Sequence, residues 1–124
     1  MKKRSTKEKG QEGERLAVRF LEDEGFRILD RNFQNRIGEI DIVAEDRGVL
    51  VFVEVRTLEA SAGHSPEETI QWKKQQRISR TALAYIQYKR LEDRPARFDV
   101  VSVTFDGTRS TLRHIPDAFE MWEA

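Results

Sequence analysis

The sequence predicts a single α/β domain, and three observations carry that reading. Two stretches, about 11–24 and 65–89, repeat apolar residues at helical spacing. Between and after them lie short runs rich in valine, isoleucine and phenylalanine, each bounded by turn residues. The resulting order is α-β-β-β-α-β-β-α, and a chain of 124 residues suits one domain with a real core.

Residues 1–9 carry Lys2, Lys3, Arg4, Lys7 and Lys9 against Glu8 alone and read as a mobile basic arm, leaving 10–124 as the folded domain. In the first helix Leu16, Ala17, Phe20 and Leu21 form the apolar stripe, and Gly25 closes it as a C-terminal cap. Residues 26–33 form a strand with a ragged pattern, and Gln34-Asn35-Arg36 turn the chain. Residues 38–45 and 49–55 make a hairpin around Asp46-Arg47-Gly48. The second arm is apolar on both faces, which marks a central strand. After a loop over 57–64, Ser65, Pro66 and Glu68 supply the cap, the first-turn proline and the capping box of a helix running to about Lys89. Its buried positions include Ile70, Ile78, Ala82, Tyr85 and Ile86, and Trp72 and the tyrosines are expected in the core. Residues 97–105 and 111–115 pair across Asp106-Gly107, and residues 116–122 read as a short terminal helix.

Composition excludes several function classes. Charged residues make up 35% of the chain, with 22 basic and 22 acidic side chains, so it is no globally basic binder, although local patches remain open. Without cysteine there is no disulfide scaffold, thiolate zinc site or cysteine nucleophile. His64 and His114 are too few for a histidine-rich metal site. No apolar run is long enough to span a membrane, so no membrane partner is expected. The basic start lacks the apolar stretch of a signal peptide, so the expected compartment is the cytoplasm.

The central hairpin carries the chemistry. A two-residue loop at Arg47-Gly48 sets Asp46 opposite Val49, and counting back along both arms sets Asp41 opposite Glu54. Their Cβ atoms would lie roughly 5 Å apart on one face. Arg56, two residues on, shares that face. Two adjacent carboxylates inside a sheet repel unless something positive stands between them. A divalent cation such as Mg²⁺ or Mn²⁺, which takes oxygen ligands, answers that need. Two blander readings stay open: Asp41 solvated at a strand end, and Glu54 paired with Arg56 or a helix lysine. Glu14 lies at the edge of the first helix's buried stripe, from which a carboxylate can reach over the sheet, or else it is a solvated first-turn acid.

Charge is segregated along the chain. Residues 38–70 hold eight acids and two bases, whereas residues 71–90 hold six bases (Lys73, Lys74, Arg77, Arg80, Lys89 and Arg90) and no acid. Lys73, Arg77 and Arg80 follow helical spacing along one face. A basic helix beside an acidic, metal-capable pocket suits a phosphodiester substrate, with nucleic acid, DNA above all, as the partner. The alternative is a solvated helix face.

Gly13-Glu14, Gly38-Glu39-Ile40-Asp41, Phe52-Val53-Glu54-Val55-Arg56, Gly63-His64-Ser65-Pro66-Glu67 and Arg97-Phe98-Asp99-Val100 come in the order seen in the YraN family, which this chain resembles over about residues 10–119. That family resembles the restriction-endonuclease-like fold of the PD-(D/E)xK nucleases, especially the archaeal Holliday-junction resolvases. The resemblance implies an α-β-β-β-α-β core, with a mixed central sheet flanked by helices, here with an extra C-terminal strand and short helix. It implies metal binding through Glu14, Asp41, Glu54 and the Val55 carbonyl. Catalysis would fall to Asp41, Glu54, Arg56 and Lys74, and backbone binding to Lys73, Arg77 and Arg80. Ile40 stands where the motif has proline. Arg56 stands where it has lysine, and arginine stabilises phosphate charge but cannot act as a base. Lys74 matches a lysine of the family's helix and would supply the missing ammonium. Resolvase-like relatives pair, so a homodimer is implied as an option, although no stretch marks a self-complementary patch. The expected activity is metal-dependent DNA cleavage. Two alternatives are a nucleic-acid-binding module with a degenerate site and a protein-interaction adaptor.

Overall fold

A computed structural model of the chain describes residues 5–62 and 70–121. Helix α1 (Thr6–Asp23) precedes three strands, β1 (Arg27–Gln34), β2 (Glu39–Asp46) and β3 (Val49–Glu59). Helix α2 (Trp72–Lys89) and strands β4 (Ala96–Asp106) and β5 (Arg109–Phe119) complete the fold. The five strands form one sheet in chain order, with β3 in the centre. Only the β3–β4 pair is parallel, and α2 lies in the crossover that joins them. The sheet is therefore mixed, with one helix packed against each apolar side, and the α-β-β-β-α-β order is the expected one.

Alternation along the strands, broken in β2 between Ile40 and Ile42, splits the core into two layers. On the α1 side, Ala17, Leu21 and Phe26 pack on Ile42, Ala44, Val51, Val53, Val101 and Val103. On the other, Ile78, Ala82, Tyr85 and Ile86 of α2 pack on Ile40, Val43, Leu50, Phe52 and Phe98. The central strand is buried on both faces.

Local chemistry explains the element ends. Ser5 caps α1, its hydroxyl accepting from the Glu8 N–H. Gly25, at φ +94°, lets the Phe26 N–H return to the Leu21 carbonyl, which closes the helix. Arg47 and Gly48 both have positive φ, as a two-residue hairpin turn demands.

Four expectations need correction. Residues 6–9 are no arm but the first turn of α1, secured by the Ser5 cap and by the Lys9–Glu59 ion pair, while residues 1–4 lie outside the described residues. Helix α2 starts at Trp72, with Gln71 extended, so no continuous helix runs from Ser65; the proposed cap and the His64 loop lie outside the described residues. No helix covers 116–119: β5 continues through Pro116, taking up the irregularity as a register shift with Asp117 at φ +52°. Finally, Tyr85 is in the core, but Trp72 and Tyr88 are exposed, because they fall off the 78–82–85–86 stripe. The ragged pattern of β1 has a cause too: a register shift between Ile28 and Asp30, then Asn32 at positive φ.

Candidate functional site

The β2–β3 hairpin takes the register its turn dictates, from Asp46 opposite Val49 to Ile42 opposite Val53. The ladder ends there. The Val55 N–H, instead of continuing it, donates to Asp41 Oδ2 at 2.8 Å. A carboxylate thus replaces a backbone acceptor where the two strands part. In a strand the N–H and C=O of one residue point to the same side, so the Val55 carbonyl also points toward the β2 side of β3.

Asp41 and Glu54 come close just beyond the last ladder pair, Asp41 lining the cleft beside α1 and Glu54 paired with α2. The Asp41 carboxyl is pushed up to about 8, first by burial, then by the charge of Glu54, with Glu14 adding to it and the Val55 N–H opposing. At neutral pH without a cation, Asp41 therefore keeps its proton. Glu54 is only 8% exposed and forms an ion pair with Lys74 of α2. The pairing of Glu54 with a helix lysine, one of the readings left open above, is thus what the fold builds.

Glu14 reaches the same place from α1. A Cβ at Gly13 would stand 2.5 Å from Thr57 Oγ1, so only glycine lets the helix lie this close to β3. That approach carries Glu14 into a cleft with Asp41 and Val55. Its carboxylate is 3.6 Å from the Arg31 guanidinium, yet its buried Oε1 finds no hydrogen-bond partner. Arg56 lines a neighbouring cleft with Glu54 and Lys74. Arg77 lines a third cleft with Lys74, Gly38 and Glu39. Lys73 and Arg80 are exposed on α2 and line none of these clefts.

Sequence reasoning missed three residues here. Glu39 lies two positions before Asp41 and lines two of the clefts, a placement the strand period could have suggested. Lys7 and Gln11 line the Glu14 cleft at i, i+4, i+7 spacing with it, a signal hidden by reading Lys7 as part of an arm.

Among the described residues, no group of three or more His, Cys, Asp or Glu side chains is close enough to hold one ion directly. The donors nevertheless suit a hard divalent cation, which commonly takes one or two carboxylates and fills its remaining positions with water. Asp41, Glu54 and the Val55 carbonyl fit as direct oxygen donors. The orphaned Glu14 Oε1 fits a partner held one water further out.

The model of the uncharacterised protein family UPF0102 matches residues 13–103. This chain belongs to the UPF0102 family. It is 46% identical to a UPF0102 protein of Trichlorobacter lovleyi, over 90% of each chain. It is also 46% identical to one of Geobacter metallireducens, over 90% of this chain and 92% of the relative. A third UPF0102 protein, from Myxococcus xanthus, is 44% identical over 92% of this chain and 90% of its own. The UPF0102 match runs from Gly13 into β4 and so takes in Glu14, Asp41, Glu54, Arg56 and Lys74. None of the described UPF0102 helices is long and apolar enough to cross a membrane.

Proposed function

We propose that this protein is a metal-dependent endonuclease-like enzyme that hydrolyses phosphodiester bonds in nucleic acid, DNA above all. The observation that carries the reading is the meeting of Asp41 and Glu54 where β2 and β3 part, with Glu14 close enough to raise the Asp41 carboxyl further. A fold that only needed stability would gain little from two neighbouring acids with a third in the same cleft.

Asp41, Glu54 and the Val55 carbonyl would hold Mg²⁺ or Mn²⁺, with Glu14 acting through water. When bound, the ion supplies a nucleophilic water at neutral pH and offsets charge on the attacked phosphate. Asp41 gives up its proton to make that site. Lys74, already aimed at Glu54, places an ammonium at its edge and stabilises the extra negative charge of the transition state. Arg56 adds a fixed positive charge from β3. Lys73, Arg77 and Arg80 give α2 a basic outer surface for the substrate backbone.

A second reading, a nucleic-acid module without turnover, is favoured by one observation. Lys74 alone can neutralise Glu54, so the site balances part of its charge without an ion. Cleavage of a panel of branched, single-stranded and duplex DNA with Mn²⁺ tests the first reading. Metal-dependent cutting by wild type, lost in Glu54→Ala, supports it; DNA binding with no cutting and no calorimetric Mn²⁺ binding favours the second.

A further inference from the structure

The clefts around the carboxylates adjoin one another. The cleft beside α1, of about 420 Å³, shares Gly10, Val55 and Thr57 with the one beneath Arg56, of about 460 Å³. The cleft beside α2, of about 540 Å³, shares Glu39 with the first and Lys74 with the second. Asp41 lines the first of these and Glu54 the second. Each is the size of a site for a small ligand, enough for a nucleotide or two.

Their walls are fixed. Gly13 packs against Thr57 with no room for a methyl group, so α1 cannot lie closer to β3 than it does. Across the site, Gly38 leaves room for the Arg77 side chain, whose Cγ would be 3.0 Å from a Cβ there. The loop before Gly38 is held by the Asn35 side chain, which accepts from the N–H groups of Ile37 and Gly38. Glycine is therefore used on both walls, once to bring a helix in and once to seat a cation. Gly10 does a third thing: it lines two clefts, and a Cβ on it would meet nothing within 4 Å.

The linings match the parts of a nucleotide chain. Lys7 and Gln11 stand on the α1 wall, and Arg77 on the α2 wall. Neither Lys7 nor Arg77 is ion-paired with a described residue, whereas Lys9, Lys74 and Arg94 all are. Beside Arg77 the cleft offers the apolar side chain of Ile37, which is 43% exposed. An unpaired cation next to exposed apolar surface suits a phosphate next to an unstacked base.

Resting on the functional reading above, we infer that the substrate is a single strand, or a strand parted from its partner at the cut, running from Lys7 and Gln11 across the carboxylates to Arg77 and Ile37. The phosphate to be cut must descend to Glu54, which is almost fully buried between two walls. A duplex keeps its bases paired and stacked, so it offers none to the apolar surface at Ile37. One strand with its bases splayed does.

The test is binding by the full chain in EDTA, using a labelled single strand and the same sequence as a blunt duplex. The variants are Lys7→Gln, Arg77→Gln and, as a control in the far hairpin turn, Arg47→Asn. The single strand should bind about tenfold tighter than the duplex. Each cleft variant should lose affinity for it and lower the slope of log affinity against log salt by about 0.7. Arg47→Asn should change neither. Duplex bound as tightly as the single strand, or slopes unmoved in both cleft variants, overturns the inference; if Mn²⁺-dependent cutting persists, the functional reading survives it. If neither form binds and neither is cut, both fall.

Discussion

Gly13 of α1 and Thr57 of β3 are in direct contact, and the fit is so close that a Cβ on Gly13 would stand 2.5 Å from Thr57 Oγ1. Gly13→Ala gains about 1 kcal/mol of helix propensity, but crowding of a packed contact costs about 1–3 kcal/mol. Threonine is stiff at χ1, so the hydroxyl does not yield cheaply. The expected net effect is a loss of stability, with Glu14 pushed away from Asp41. In the Thr57→Ala background the same change should become neutral or stabilising. Urea unfolding of the four proteins checks this; additive effects would show that the contact is slack.

Asp41 gives the fold a pH dependence of unusual sign for a carboxylate. Its carboxyl rises from an ordinary 3.8 to about 8 in the folded chain, chiefly through burial and then through Glu54. The folded state therefore holds this proton more tightly than the unfolded state does. The contribution is fully present below about pH 4 and is lost as the pH climbs to 8. In EDTA, the urea midpoint should fall between pH 5 and pH 9, and Asp41→Asn should flatten that fall. Because a cation competes with the proton, Mn²⁺ affinity should rise with pH over the same window. A pH-independent affinity would remove the ion from Asp41.

The hairpin was legible in the sequence because one turn settles every pair beyond it. Arg47-Gly48 fixes the register, and following it to the open end of the hairpin leads to Asp41 and Glu54. What that rule could not show is that the ladder stops at Ile42–Val53 and that a side chain takes over the Val55 N–H. The ends of the chain were misread for a related reason. Charge at Lys7 and Lys9 resembles a solvated arm, but the Ser5 cap and the Glu59 partner belong to tertiary structure or to a single residue's rotamer. Residues 116–122 read as a helix, yet β5 is an edge strand, where Pro116 and a register shift are tolerated, and it continues to Phe119. Glu14, by contrast, could be placed near the sheet by spacing, while the glycine that brings it there was visible only as a letter beside it.

Asp99 sets the acid limit of stability. It is fully buried in β4, where burial alone would raise its carboxyl. Hydrogen bonds from His114, Arg97 and the Asp117 N–H outweigh that and hold it below the usual carboxylate range. Its contribution is thus present above the unfolded value of 3.8 and is lost as the pH falls through the lower folded one. Removing it strands Arg97 and frees the irregular half of β5. Asp99→Ala should cost about 3 kcal/mol, the scale for breaking a buried pair. Urea unfolding at pH 7 measures it, and a loss under about 1 kcal/mol would mean that Arg97 finds enough in Asp46.

Lys74 separates holding an ion from using one. It occupies Glu54 in the absence of a cation, so in Lys74→Ala the carboxylate is left uncompensated and should bind Mn²⁺ more tightly. Yet the same change removes the ammonium proposed to stabilise the transition state, a loss worth about 10²-fold in kcat where one such donor is deleted. Tighter metal binding with slower cutting is therefore the expected pair of results, and Lys74→Arg should restore part of the rate by returning the charge. Glu54→Gln should lose both. Calorimetry with Mn²⁺ and single-turnover cleavage read the two effects separately. If Lys74→Ala cuts as fast as wild type while Asp41→Ala is dead, the ammonium has no part in the chemistry and Arg56 must carry the positive charge alone.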